Sequence, residues 1–136
     1  MSGEETHFLN VDLELVTRGE VDALLAHWGT LVMLRDSEED GKRTIWIELE
    51  EDHRGVEPTL DAFLSLVESL PVPLQTLWDD CDDHCFNVGV QAGTSPHSEA
   101  FVIASSTLRR IADVNAQVEF TVYAASPTPE PPDPSR

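Results

Sequence analysis

Three segments of the chain alternate apolar side chains with polar side chains that are mostly acidic. They span Phe8 to Val16, Arg43 to Glu50 and Val118 to Tyr123. Because successive side chains of a β-strand point to opposite sides, each segment is predicted to be a strand with one apolar face and one wet, acidic face. Such strands bury their apolar faces only if one side of their sheet is covered by other elements. The side chains predicted to face that cover are Leu9, Val11, Leu13, Leu15, Ile45, Ile47, Leu49, Val118, Phe120 and Val122.

Helices are predicted to supply the cover. Apolar residues recur at helical spacing from Val21 to Trp28, from Leu60 to Val67 and from Leu74 to Cys81. Ser105 and Ser106 suit the start of a further helix, since their hydroxyl groups can accept hydrogen bonds from free backbone amides. Each helix has one apolar stripe, as expected for helices that lie on one side of a sheet.

Shorter segments complete the predicted element order. Leu31 to Arg35, Phe86 to Val90 and Phe101 to Ala104 are apolar enough to form strands. Asp40-Gly41 indicates a hairpin turn, because glycine adopts the positive φ that such turns require. The predicted order is β-α-β-β-α-α-β-β-α-β, and the predicted class is α+β. It corresponds to a ferredoxin-like βαββαβ core extended by a β-α-β unit, with an antiparallel or mixed sheet and its helices on one face.

The length of 136 residues and an apolar content of 40% suit one domain with one core. This domain is predicted to cover residues 1–125. Residues 126–136 are rich in proline and are predicted to form an extended, disordered tail.

The charge of the chain restricts its partners. Eight Lys and Arg against 26 Asp and Glu give a formal net charge of -18. Such a chain repels nucleic acid and anionic lipid, whereas it attracts a basic protein or a cation. Solubility alone is the alternative explanation of this acidity. The chain has no apolar run long enough to span a bilayer and its start does not resemble a signal peptide, so we expect a cytoplasmic protein.

A family resemblance rests on four features. These are the helix between Thr17 and Trp28 after an opening strand, the strand that carries Trp46, the segment Phe63 to Leu70, and the ending Leu108 to Tyr123. Together they resemble the bacterial family known as domain of unknown function 4279, over about Phe8 to Tyr123. The resemblance implies the fold described above and a bacterial origin. It implies no chemistry, and the acidic cluster at Asp79 to Asp83 is not part of its pattern.

One dense cluster of potential metal ligands lies between the third predicted helix and the strand that follows it. The candidate ligands are Asp79, Asp83, His84 and Cys85. The spacing of Cys81 and Cys85 is wider than the short cysteine pairs of structural zinc sites, and no second pair exists. A calcium loop beginning at Asp79 lacks the required glycine and glutamate. An acidic, solvated helix end is therefore the default reading, with a metal-binding protein or metal-dependent enzyme as the alternative.

No pattern typical of a catalytic site appears in the sequence. His84 and Cys85 are neighbours in a predicted strand, so their side chains should point to opposite faces, and nearby carboxylates should raise the pKa of the thiol. If the preceding helix continued through both cysteines, their side chains would be too far apart for a disulfide. Two free thiols, as expected in a reducing compartment, are therefore predicted. Glycine-rich phosphate-binding motifs and nucleophile elbows are absent. We expect neither an enzyme nor a cofactor.

The polar sides of the predicted strands suggest a binding surface instead. If the first, third and last strands are neighbours, their outward residues form one field in which aromatic side chains lie among carboxylates. Aromatic groups provide buried contact area and acids attract a basic surface, so this field suits a basic protein partner. Pairing of two copies through the same face, which would make the protein a homodimer rather than a monomer, is the other possibility. The candidate contact residues are Asp12, Glu14, Trp46, Glu48, Glu50, Glu119 and Tyr123.

Overall fold

A computed structural model describes residues 5–51 and 54–125. Within these residues the chain forms five strands and four α-helices, which confirms the predicted α+β class. The predicted tail at 126–136 lies outside the described residues. The elements are β1 (His7–Thr17), α1 (Asp22–Trp28), β2 (Val32–Glu39), β3 (Lys42–Leu49), α2 (Val56–Glu68), α3 (Val72–Asp79), β4 (Asp83–Gln91), α4 (Ser105–Asp113) and β5 (Gln117–Tyr123), with a short 3-10 turn at Gly29–Leu31 between α1 and β2.

The strands form one mixed sheet in the order β2-β3-β1-β4-β5. Neighbouring strands are antiparallel except β4 and β5, which are parallel. The condition set for the binding surface, that the first, third and last strands are neighbours, holds only in part: β3 lies beside β1, but β4 lies between β1 and the last strand. A parallel partner requires a crossover connection, and the segment that contains α4 provides it. The description of the first four strands as ferredoxin-like stays a prediction.

The core lies on one side of the sheet. Leu13, Leu15, Ile45 and Ile47 are completely buried there. Each helix adds buried residues to the same apolar cluster, among them Leu24 of α1, Phe63 of α2, Trp78 of α3 and Ile111 of α4. Since all four helices share this cluster with the strands, they cover the same side, which we call the inner face. The opposite side of the sheet is the outer face.

The start of β1 differs from the predicted alternation. Phe8 pairs with Val90 and Asn10 pairs with Gly89, so Leu9 is an extra residue in β1 and forms a β-bulge. The bulge reverses the sides of the residues before it: Phe8 packs against the core, whereas Leu9 is 43% exposed. A strict two-residue period could not show this reversal, because the bulge depends on the pairing with β4.

The segment Phe101–Ala104 is not a strand, contrary to prediction. Phe101 and Ile103 pack partly against the core without joining the sheet, and Val102 is 72% exposed. The carboxylate of Glu57 accepts hydrogen bonds from the backbone N–H of Ala104 and from the hydroxyl of Thr107. These bonds anchor the start of α4 to α2, so the segment serves as the approach to a helix.

The hairpin between β2 and β3 is confirmed. Asp40 and Gly41 have φ angles of 57° and 77°, the two successive positive values of a tight hairpin turn. The turn is shorter than predicted, since β2 continues to Glu39. The guanidinium group of Arg43 binds Asp22 and Asp36 and so connects this hairpin to α1.

Candidate binding face on the open side of the sheet

The strand register collects acidic side chains from several strands on the outer face. Glu14 of β1 lies opposite Trp46 of β3 on one side and opposite Cys85 of β4 on the other. Asp12 lies opposite Asn87, which in turn lies opposite Glu119 of β5. Glu119 therefore belongs to the same face as the acids of β1, although β4 separates the two strands.

The carboxylates of β1 are held close to one another and partly away from water. Burial raises the pKa of Asp12, and the nearby charge of Glu48 raises it further, while the guanidinium group of Arg35 acts in the opposite direction. Burial also raises the pKa of Glu14, with further contributions from Glu119 and Asp83. Both effects have the same cause: a carboxylate is less stable when it loses water and gains negative neighbours.

Asn10 connects two of these acids. Its amide nitrogen donates to Glu48 Oε2 at 2.5 Å and to Asp12 Oδ1 at 3.3 Å. The amide fits because residue 89 is a glycine: a Cβ atom built there would lie 3.3 Å from Asn10 Oδ1. Alternation along β1 predicts that Asn10 lies on this face but does not predict its contact with Glu48. The available signal was Gly89, since a glycine inside a strand often marks a bulge or a close approach of another backbone.

Trp46 lies on the outer face, as predicted, and is partly buried. The guanidinium carbon of Arg35, its partner on β2, lies 5.2 Å from the centre of the indole ring. This distance is typical of a cation–π contact, in which the ring face attracts positive charge. Arg35 shows that the indole accepts a guanidinium group in this setting, and it was not among the residues predicted from the sequence.

Trp46 and the acids line an open cleft with a volume of about 570 Å³. Tyr123, at the end of β5, also lines it and is 52% exposed. The cleft combines aromatic surface with carboxylate oxygens, which are complementary to cationic side chains. Its other polar lining residues are Asn10, Asp12, Arg35, Glu48 and Gln91.

Glu50 does not belong to this cleft. It lies beyond the end of β3, where its backbone N–H donates to the carbonyl of Leu31. Glu50 lines a second cleft instead, between that end of the sheet and α2, together with Leu49 and Leu66. Of the seven predicted contact residues, the structure therefore places Asp12, Trp46, Glu48 and Tyr123 in the outer cleft, Glu14 and Glu119 beside it on the outer face, and Glu50 elsewhere.

Cys85 lies within the outer face and is not suited to nucleophilic chemistry. Its Sγ lies 3.8 Å from Glu119 Oε1, and the residue is 6% exposed. Burial first, and then the charges of Glu119, Glu14 and Asp83, raise the pKa of the thiol to about 11. The reactive thiolate is therefore scarce at neutral pH. Cys81 is also a free, buried thiol.

The structure separates the candidate metal ligands. His84 is buried on the inner face, stacked on Trp78 with 4.1 Å between the ring centres, while Cys85 points to the outer face. The two ring nitrogens of His84 lie 2.6 Å and 3.0 Å from the carbonyl oxygens of Trp78 and Asn115, so both are already occupied. Asp79 is exposed at the end of α3, and Asp83 binds the amide of Gln117. Across residues 5–51 and 54–125, no three His, Cys, Asp or Glu side chains are grouped so that they could hold a metal ion.

Comparisons with protein-family models, curated proteins and solved structures found no match. The resemblance to domain of unknown function 4279 therefore stays a prediction. In the part of the chain that is described, none of the helices has the length and apolar character required to cross a bilayer.

Proposed function

We propose that this protein is a non-catalytic binding domain that docks a basic protein partner on the outer face of its sheet. The observation that carries the proposal is the open cleft in which Trp46 lies among the carboxylates of Asp12 and Glu48. A cytoplasmic immunity protein that neutralises a cationic toxin, or a regulator of a basic protein, would use such a face.

The electrostatics of the face support a cationic partner. Burial, and after it the nearby carboxylates, raise the pKa of Asp12 and of Glu14, so negative charge at these positions is unfavourable in the free protein. A cationic side chain that enters the cleft offsets this cost, and the remaining negative field of the chain increases the rate of encounter. The indole of Trp46 adds contact area of the kind that dominates binding energy at interfaces.

Binding of a defined cation tests the proposal. Octalysine should bind the wild-type protein at low salt, and Glu48→Lys or Glu119→Lys should weaken that binding about tenfold or more. Trp46→Ala should also weaken it, because the aromatic contact is lost. Isothermal titration calorimetry at 50 and 300 mM NaCl measures these changes, with weaker binding expected at the higher salt concentration.

Asp113→Lys provides the matched control. Asp113 is exposed at the end of α4, on the helix side of the molecule, and the substitution changes the net charge by the same amount as Glu48→Lys. If both variants weaken octalysine binding equally, only net charge matters and the outer face is not the binding site.

The metal-binding alternative has its own test. Elemental analysis of protein purified without a metal-binding tag should show near-stoichiometric metal if the alternative is correct. The surroundings of His84 argue against that result, because each ring nitrogen faces a backbone carbonyl oxygen, of Trp78 or Asn115, that a metal ion would have to displace.

A further inference from the structure

The two edges of the sheet differ in how they are protected against pairing with another strand. The edge strand β2 carries Asp36, Glu38 and Glu39 in its second half. Charged side chains on an edge strand oppose the addition of a further strand. The edge strand β5 has the sequence QVEFTVY, in which Glu119 is the one charged residue, and it contains neither lysine nor proline. β5 is therefore the less protected edge.

The backbone of β5 presents hydrogen-bonding groups at its free side. The carbonyl oxygen of Tyr123 accepts the N–H of Ala92 at 2.9 Å, so it points toward β4. Backbone groups alternate in direction along a strand, and the N–H and C=O groups of Val118, Phe120 and Val122 consequently point away from β4. Within residues 5–51 and 54–125, no strand or loop pairs with that side of β5.

Side chains next to this free edge differ between the two faces of the sheet. On the inner face, Phe120 and Val122 are 48% and 60% exposed, because the helices do not reach over this edge. On the outer face the neighbouring positions are Glu119, Thr121 and Tyr123. A strand added beside β5 would thus contact apolar side chains on one face and an acidic, aromatic surface on the other.

We infer that β5 binds an extended segment of the basic partner by strand addition. This inference rests on the proposed function and specifies how the partner is held. The segment has alternating basic and apolar residues: the basic residues face Glu119 and the outer face, and the apolar residues cover Phe120 and Val122. The main-chain hydrogen bonds of such a complex supply affinity and the alternating side chains supply specificity. A second copy of this chain is a poorer occupant, since each copy carries a formal charge of -18.

Two peptides of identical composition test the arrangement. One alternates as Lys-Val-Lys-Val-Lys-Val-Lys-Val, and the other has the order Lys-Lys-Val-Val-Lys-Lys-Val-Val. The alternating peptide should bind at least tenfold more tightly in calorimetric titration, because only its extended form places all lysines on one face. Equal affinities, with both lowered by Glu48→Lys, would overturn strand addition and leave the proposed function intact. If neither peptide bound, strand addition would be overturned. If octalysine also failed to bind, the proposed function would be overturned as well.

Amide exchange locates the bound peptide on the unmodified protein. The backbone amides of Phe120 and Val122 should exchange with solvent at least tenfold more slowly when the alternating peptide is bound, whereas the amide of Thr121, directed toward β4, should change little. Unchanged exchange at Phe120 and Val122 would contradict the inference. Protection of the same amides without peptide, together with a doubled mass in sedimentation, would assign the edge to a second copy and would also contradict it.

Val122→Pro supplies an independent check. Proline removes the N–H that points to the free edge and leaves the hydrogen bonds of Thr121 and Tyr123 to β4 in place. Binding of the alternating peptide should fall at least tenfold in this variant. Val122→Thr keeps the N–H and should retain most of the affinity. The exchange measurement needs no variant, so the test holds even where Val122→Pro does not fold.

Discussion

The two faces of β1 show how one strand serves two purposes. Leu13 and Leu15 on the inner face are completely buried among apolar side chains. Asp12 and Glu14, their neighbours in sequence, lie on the outer face with pKa values raised by burial and by nearby negative charges. The inner face stabilises the fold, while the charges of the outer face oppose it. Charges that the fold does not need lie on the outer face, and function in this protein is therefore to be sought there.

Truncation of an inner-face residue should have the largest effect on stability. Phe86 of β4 is completely buried and packs against Phe63 of α2, with 5.6 Å between the ring centres. Phe86→Ala should lower the free energy of unfolding by about 3–5 kcal/mol, because it removes buried apolar area and leaves a cavity. Urea denaturation followed by circular dichroism measures the loss.

Asn87→Ala is the control on the other face of the same strand. Asn87 is partly exposed and makes hydrogen bonds to Glu119 and Thr121, so its replacement should lower stability by about 1 kcal/mol or less. Similar losses for the two variants would contradict the assignment of the core to one side of the sheet.

Gly89→Ala should disturb the outer face with a smaller loss of stability. The added Cβ atom would lie 3.3 Å from Asn10 Oδ1 and 3.6 Å from the Asn10 carbonyl oxygen, so the side chain of Asn10 must move. We expect a loss of about 1–3 kcal/mol, typical of overpacking, and a change in the NMR signals of the Asn10 side-chain amide.

Gly19→Ala is the matched substitution away from the face. Its Cβ atom would lie 3.6 Å from the hydroxyl oxygen of Thr17, which is an ordinary contact distance. It should leave the signals of Asn10 unchanged, and a shift in both variants would show that Gly89 has no special relation to Asn10.

The sequence predicted those parts of the structure that depend on local pattern. The alternation of β3 placed Trp46 and Glu48 on the outer face, and Asp40-Gly41 predicted the hairpin turn. The bulge at Leu9 could not be predicted in this way, because it exists only in the pairing of β1 with β4. The place of β5 beside β4 likewise depends on a crossover whose destination no local pattern specifies.

The candidate site also combines features that follow from local sequence pattern with features that depend on pairing between strands. Its acidic residues follow from alternation within each strand, so most of them were predicted. Asn10 was predicted to lie on this face, but its contact with Glu48 was not, and Arg35 was missed altogether. Both contacts depend on partners that are distant in sequence: Asn10 binds Glu48, and Arg35 lies over Trp46. A strand prediction gives the direction of a side chain but not which neighbouring strand it meets.

The smallest expected effect has opposite signs at two glutamates. The pKa of Glu14 is raised above its ordinary value of 4.5, so the folded state holds the proton more strongly, and stability decreases as the pH rises from 4.5 through the raised pKa. Glu14→Gln should therefore stabilise the protein at pH 7, by about 0.5 kcal/mol or less, and the gain should disappear below pH 4.5.

Glu68 should show the opposite sign. Hydrogen bonds from Arg110 lower the pKa of Glu68, so its negative charge stabilises the folded state above pH 4.5. This stabilisation is lost as the pH falls through the lowered pKa. Glu68→Gln should accordingly destabilise the protein at pH 7 by a similarly small amount. Urea denaturation at several pH values between 4 and 7 measures both changes, and a loss of stability in Glu14→Gln at pH 7 would show that the charge of the outer face does not oppose folding.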